Sequence, residues 1–125
     1  MKTPRRVLFI CDDTSISTLI ERYFKDYPDV EIVTANPMDA ARKVLFERGL
    51  SKALICGSMT TTPNIDSLKF IADTLIAGNV ECAGYSSDGR LCTEFEKVGI
   101  RKFIHYSWDK VRGWITAPRR IELPL

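Results

Sequence analysis

Two adjacent carboxylates, Asp12 and Asp13, follow directly on the fully apolar run Val7-Leu8-Phe9-Ile10-Cys11. A run of that kind reads as a parallel strand covered on both faces. At least one of the two acids is therefore expected to point into a crevice at the strand's end. Paired carboxylates suit a hard cation, because Mg²⁺ takes oxygen ligands and is commonly held by one or two carboxylates with carbonyl and water. The pair has a second reading: one acid caps the following helix and the other is solvated.

The other groups with chemical potential are poorer candidates for catalysis. Ser58, Thr60, Thr61 and Thr62 crowd one loop, yet a hydroxyl needs a base to activate it and no His or Lys is visibly placed to serve. They read as turn and cap residues. His105 is the single histidine and reads as a half-buried, hydrogen-bonded side chain at a strand end. Cys11, Cys56, Cys82 and Cys92 lack the two-residue spacing of a zinc knuckle or redox pair. The first three lie in apolar runs and are expected to be buried, reduced thiols.

The elements that must position these groups alternate regularly. Ile16, Leu19, Ile20, Tyr23 and Phe24 form an apolar stripe on a helix capped by Thr14 or Ser15. Val30-Glu31-Ile32-Val33 alternates as an edge strand does. Asn36-Pro37 opens a second helix with Ala40, Ala41, Val44 and Leu45 inward, and Gly49 is placed to end it. Ala53-Leu54-Ile55-Cys56 is another apolar strand, after which residues 57 to 63 are expected to be irregular. A third helix, capped by Asn64 or Asp66, carries Leu68, Ile71, Ala72, Leu75 and Ile76 and closes at Gly78-Asn79. Val80 to Tyr85 is a fourth strand. Ser86-Ser87-Asp88 is expected to cap a helix bearing Leu91, Cys92, Phe95 and Val98. Lys102-Phe103-Ile104-His105 is the last strand, and Ser107 caps a helix with Val111, Trp114 and Ile115 inward.

Five strands alternating with five helices predict an α/β fold, a parallel sheet with helices on both faces. The 125 residues fit one domain over 1–117, followed by a tail over 118–125 that either frays or begins an interface. In such a sheet a site belongs at the carboxyl ends of the strands. That rule selects Asp12, Asp13, Gly57, Ser58, Met59, Ser86, Ser87, His105 and Tyr106.

Composition narrows the function classes. The net charge is +2, with small basic clusters only at Arg5-Arg6 and Arg119-Arg120, so nothing calls for nucleic acid or an anionic membrane. No apolar run approaches the roughly 18 residues of a membrane helix and no signal-peptide core is visible, so a cytoplasmic location is expected. The chain has no Gly-x-Gly-x-x-Gly, no phosphate loop ending in Gly-Lys-Ser/Thr, and no nucleophile paired with a base, so it is not read as an enzyme.

The order of these elements, together with three motifs, resembles the receiver domain of two-component response regulators. The motifs are the Asp12-Asp13 pair, Pro63-Asn64-Ile65-Asp66-Ser67-Leu68 opening the third helix, and Lys97-Val98-Gly99-Ile100-Arg101-Lys102-Phe103-Ile104 running into the last strand. The resemblance spans about residues 5 to 116. It implies a doubly wound, flavodoxin-like sheet of strand order 2-1-3-4-5 and a role in phosphorelay signalling. In that family a histidine kinase phosphorylates an aspartate ending the third strand, and Mg²⁺ bridges it to the acidic pair. A Ser or Thr ending the fourth strand and a Lys ending the fifth sense the phosphoryl group. Asp12 and Asp13 match the acidic pair, and Met59 falls beside them. Ser86 matches the switch hydroxyl, although it is equally well placed as a helix cap. Gly57 stands at the acceptor position, and Tyr106, followed by Ser107, stands at the lysine position.

Glycine offers no nucleophile for acyl-phosphate chemistry. The resemblance therefore implies a degenerate receiver that requires no cofactor, binds Mg²⁺ weakly if at all, and acts by phosphorylation-independent contact. Its partner would be a signalling protein: a kinase, an output domain or a second copy. The family's contact face maps to Arg90, Glu94, Lys97, Phe103, Tyr106, Trp108 and Arg112. The competing reading is a small-ligand, anion or Mg²⁺-binding domain that uses the helix amino ends after residues 13, 57 and 86.

Overall fold

The structure is a computed structural model that describes residues 4–117. The tail expected at 118–125, with Arg119 and Arg120, lies outside the described residues. The apolar runs become the strands β1 (Arg5–Ile10), β2 (Val30–Ala35), β3 (Leu50–Cys56), β4 (Glu81–Ser86) and β5 (Lys102–His105). Between and after them lie α1 (Thr14–Phe24), α2 (Pro37–Phe46), α3 (Ile65–Ala77), α4 (Leu91–Glu96) and α5 (Trp108–Thr116). All strand pairs are parallel, in the order β2-β1-β3-β4-β5.

Strand alternation sends side chains to two cores. Val7, Phe9, Leu54, Cys56 and Tyr85 face α1 and α5, where Ile20, Phe24, Val111, Trp114 and Ile115 meet them. Leu8, Ile10, Ala53 and Ile55 face α2, α3 and α4, meeting Ala40, Val44, Leu68, Ile71 and Phe95. The β4–α4 approach depends on Gly84, whose missing side chain leaves room for the Phe95 ring. The capping predicted at Asn36 and Ser107 is present: Asn36 accepts from the Asp39 amide at 2.9 Å and Ser107 from the Lys110 amide at 3.3 Å.

Several expectations need correction. Asp13, rather than Thr14 or Ser15, caps α1. Leu19, Leu45 and Ile76 are exposed, because they sit on the flank of stripes whose centres are already filled by Ile20, Val44 and Leu75. Helix α2 stops at Phe46, before Gly49, and Gly49 instead turns the chain into β3 at φ +72°. Residues 57–60 are a short 3-10 helix rather than an irregular loop. Its hydroxyls stabilise it, with Thr60 Oγ1 donating to the Gly57 carbonyl at 2.7 Å and Thr61 Oγ1 to the Ser58 carbonyl at 2.9 Å. Asn64 precedes α3 without capping it, its side-chain amide donating to the Ser58 carbonyl instead.

Candidate functional site

The carboxyl ends of β1, β3 and β4 bring Asp12, Asp13, Gly57 and Ser86 to one end of the sheet. The pairing of Ile10 with Ile55 and of Cys56 with Tyr85 fixes their order across it. Asp12 and Asp13 are both exposed. Asp13 Oδ1 accepts from the Ser15 amide at 2.9 Å, so the capping reading accounts for this acid.

Gly57 is buried, and its surroundings are closed. A Cβ placed on it would stand 2.6 Å from Leu91 Cδ1, 2.9 Å from Ser86 Oγ and 3.0 Å from Ser86 Cβ. The first turn of α4 thus lays a leucine over the tip of β3. Sequence reading placed Leu91 on the inner face of α4 but gave no sign that it would cover residue 57, because the β4–α4 loop sets that contact and its geometry has no sequence signature.

Ser86 is buried, and its Oγ accepts from the Asp88 amide at 3.0 Å. It stabilises a turn and does not cap α4, which begins only at Leu91. The Asp88 carboxylate accepts from the Arg90 amide and pairs with the guanidinium at 2.9 Å, and these hydrogen bonds hold Asp88 below the usual carboxylate range. His105 is exposed rather than half-buried, with Nε2 2.9 Å from the Ser87 carbonyl.

Tyr106 stacks on Tyr85 with ring centroids 4.5 Å apart, and Tyr85 stacks on Trp108 at 5.1 Å. Burial pushes both tyrosine hydroxyls up, so the position resembling the family's lysine holds a neutral aromatic. Met59, grouped in sequence with the acids, is wholly buried in the core under α3. Its side chain fills space there, as an apolar thioether should.

The expected contact face divides. Glu94 lies on α4, with Arg90 and Lys97 flanking its two ends, and Phe103 lies on β5; Lys97 pairs with Glu94 at 3.0 Å, and the Phe103 ring is centred 6.1 Å from that of Phe95. Trp108 and Arg112 turn instead toward α1: Trp108 meets Tyr23 and Phe9, and Arg112 donates to the Tyr27 hydroxyl while lying over that ring.

The sequence reading also missed a pair of thiols. Cys11 and Cys56, expected simply as separate buried thiols, come together at the ends of neighbouring strands, where Cys56 lowers the Cys11 pKa and Cys11, with burial, raises that of Cys56. The alignment of two strands decides this contact, which spacing along the chain cannot reveal.

As a magnesium site, the arrangement offers two carboxylates, one already engaged in capping. Among the described residues no group of three or more His, Cys, Asp or Glu is gathered to hold a metal. The donor set fits a weak, water-rich site and not a tight one. As an anion site it is also poor. The amino end of α1 is occupied by an acid, α4 starts away from the end of β4, and the helix at Gly57 is a single 3-10 turn.

No protein-family model matches the chain, and no curated protein matches it in sequence. Solved structures do match. The chemotaxis protein CheY4 of Vibrio cholerae superposes with a TM-score of 0.74 at 14% identity, covering 90% of this chain and 97% of that one. CheY6 from R. sphaeroides, solved in complex with the P1 domain of CheA3, gives 0.71 at 14% identity over 92% and 97%. The receiver domain of the sensor histidine kinase PA1611 from Pseudomonas aeruginosa PAO1, solved with magnesium in its active-site cleft, gives 0.70 at 10% identity over 90% and 95%. These likenesses establish the receiver fold. Among the described residues no helix is long and apolar enough to cross a membrane.

Proposed function

We propose that this chain is a receiver-like signalling module that has lost phosphoacceptor chemistry and acts through protein–protein contact. The observation that carries the reading is the closed pocket at Gly57. The position that matches the family's acceptor has no side chain, and Leu91 and Ser86 occupy the space a carboxylate would need. Neighbouring groups support it: Tyr106 replaces a cation with an aromatic stacked on Tyr85, and Ser86 is committed to a local turn.

Contact with a signalling protein draws support from CheY6, whose structure holds the P1 domain of CheA3. In this chain the α4–β5 surface supplies the anchors Arg90, Glu94, Lys97 and Phe103, with exposed Tyr106 at its rim. A few arginine and aromatic anchors carry most of the energy at such surfaces. The partner class is a kinase, an output domain or a second copy. Asp12 and Asp13 retain weak Mg²⁺ binding, which the module does not require, and no reaction is assigned to the chain.

The test is treatment of the full chain with acetyl phosphate and Mg²⁺, followed by intact mass measurement and amide hydrogen exchange over residues 81–107. The expected result is neither a phosphoryl mass gain nor a change in exchange. A hydroxylamine-labile phosphoryl adduct overturns the proposal.

A further inference from the structure

Ile10 pairs with Ile55 across β1 and β3, so the next residues along, Cys11 and Cys56, are neighbours. Both side chains belong to the core under α1 and α5, with Phe9, Leu54 and Tyr85. Each thiol is the largest influence on the other's titration, Cys56 lowering the Cys11 pKa and Cys11 raising that of Cys56. Adjacent strands run about 4.8 Å apart, which lies inside the Cα separation of roughly 4.4–6.8 Å that a disulfide spans. Neighbouring positions on paired strands, with both side chains in one core, are therefore within the span of a disulfide. Cys11 is 4% exposed and is followed at once by the exposed Asp12, so it is the member of the pair nearer solvent; Cys56 is 2% exposed. The other cysteines stand apart, since Cys82 belongs to the opposite core and Cys92 is on α4, with Sγ 3.7 Å from Glu96.

We propose that Cys11 and Cys56 form a reversible redox modification site beneath the strand-end crevice, closed to a disulfide by a small peroxide and reopened by a thiol reductant. In the first step the Cys11 sulfur attacks one peroxide oxygen and the O–O bond breaks. Cys11 becomes a sulfenic acid, and the thiol proton leaves with the departing oxygen as water. In the second step the Cys56 sulfur attacks the Cys11 sulfur. The S–O bond breaks, the S–S bond forms, and the hydroxyl leaves with the Cys56 proton as a second water. Two thiols are oxidised by two electrons, and one peroxide is reduced to two waters. The sulfenic acid is short-lived because a resolving thiol stands on the neighbouring strand in the same core. The disulfide ties the ends of β1 and β3 immediately below Asp12 and Gly57, so the oxidation state of the pair sets the rigidity of that crevice. This inference is independent of the loss of phosphotransfer.

Cleavage after Lys and Arg puts each cysteine in its own peptide, with Cys11 in 7–22, Cys56 in 53–69, Cys82 in 70–90 and Cys92 in 91–97. The folded full chain is exposed to a small excess of hydrogen peroxide, alkylated under denaturing conditions, digested and mapped by mass. The expected product is a linked 7–22/53–69 pair two hydrogens lighter than its parts, lost on treatment with dithiothreitol. Cys92→Ser leaves the linked pair intact, and Cys56→Ser removes it, leaving Cys11 trapped by a sulfenic-acid reagent such as dimedone. Should Cys56→Ser fail to fold, the wild-type peptide map decides alone. The proposal is overturned if 7–22 and 53–69 are recovered fully alkylated while 91–97 is oxidised, or if any linkage that forms joins other pairs.

Discussion

The two ends of the parallel sheet treat charge in opposite ways. At the amino ends of the strands charge is paired and used for packing. Lys52, 4% exposed, stands 3.2 Å from Glu81 Oε2, donates to the Trp114 carbonyl and lies over the Trp114 ring. The ion pair is electrostatic more than hydrogen-bonded, since Glu81 Oε2 has no hydrogen-bond partner among the described residues. Arg5 reaches the Ile115 carbonyl from β1, so two strand cations meet the carboxyl end of α5, which has no basic residue of its own in its last turn. Arg6 joins Glu31 and Glu47, each at 2.8 Å. At the carboxyl ends, where a receiver's chemistry would lie, the acids face water and the centre is sealed by Leu91, Ser86 and the Tyr85–Tyr106–Trp108 stack. The end that looks functional by topology is thus held mainly by apolar packing. The end with no expected chemistry carries the tighter electrostatics.

The sharpest way to break this contrast is to place a carboxylate at position 57. Gly57→Asp forces a Cβ against Leu91 and Ser86 and buries a carboxylate with no cation identified to receive it. The expected loss is about 3 kcal/mol or more in urea unfolding, combining overpacking with desolvation. Adding Leu91→Ala opens the same space, so the double variant should be more stable than Gly57→Asp alone. If Gly57→Asp folds with wild-type stability and takes up phosphate from acetyl phosphate, the centre is not sealed.

Much of this was legible in the sequence, and the boundary is physical. Periodicity and caps fixed the alternation of elements: the apolar run at 7–11, Asn36-Pro37 and Ser107 each act through local rules, and each behaves as expected. The identity of the strand-end positions was legible for the same reason, since topology puts the ends of β1, β3 and β4 together. What those side chains do was not. Met59 points into the core, Ser86 closes a turn, and Trp108 and Arg112 face α1, because each depends on long-range packing rather than on neighbours in sequence. Lys52 is the clearest case: a lysine in a strand gives no hint that its amine will be buried against a helix 62 residues away.

Lys52 also gives the next-largest prediction. Lys52→Met keeps the length of the apolar stem but removes the ion pair and the hydrogen bond to α5, while Glu81 is left partly buried. Removing one partner of a buried pair leaves the other uncompensated, and with Glu81 30% exposed the expected cost is about 2 kcal/mol. Amide exchange should quicken most in α5, because Lys52 and Arg5 hold its carboxyl end. A loss spread evenly over the molecule would mean that the clamp is not specific to that helix, and the amino end would then be no different in kind from the rest of the core.

The smallest effects should come from the two acids, and they test the other half of the contrast. Asp13 makes one defined interaction, the 2.9 Å acceptance from the Ser15 amide that caps α1, so Asp13→Ala should cost about 1 kcal/mol. Asp12 is exposed and, among the described residues, no hydrogen bond or ion pair ties its carboxylate to the fold, so Asp12→Ala should stay within about 0.5 kcal/mol. Calorimetric titration with Mg²⁺ separates stability from binding: weak heats in the parent chain should vanish in Asp13→Ala and diminish in Asp12→Ala, whatever each substitution does to unfolding. Tight binding in the parent would mean that a further oxygen ligand completes the pair. A cost for Asp12→Ala as large as that for Asp13→Ala would mean that both acids are engaged with the fold, so that charge at this end, like that at Lys52, also serves to hold the structure.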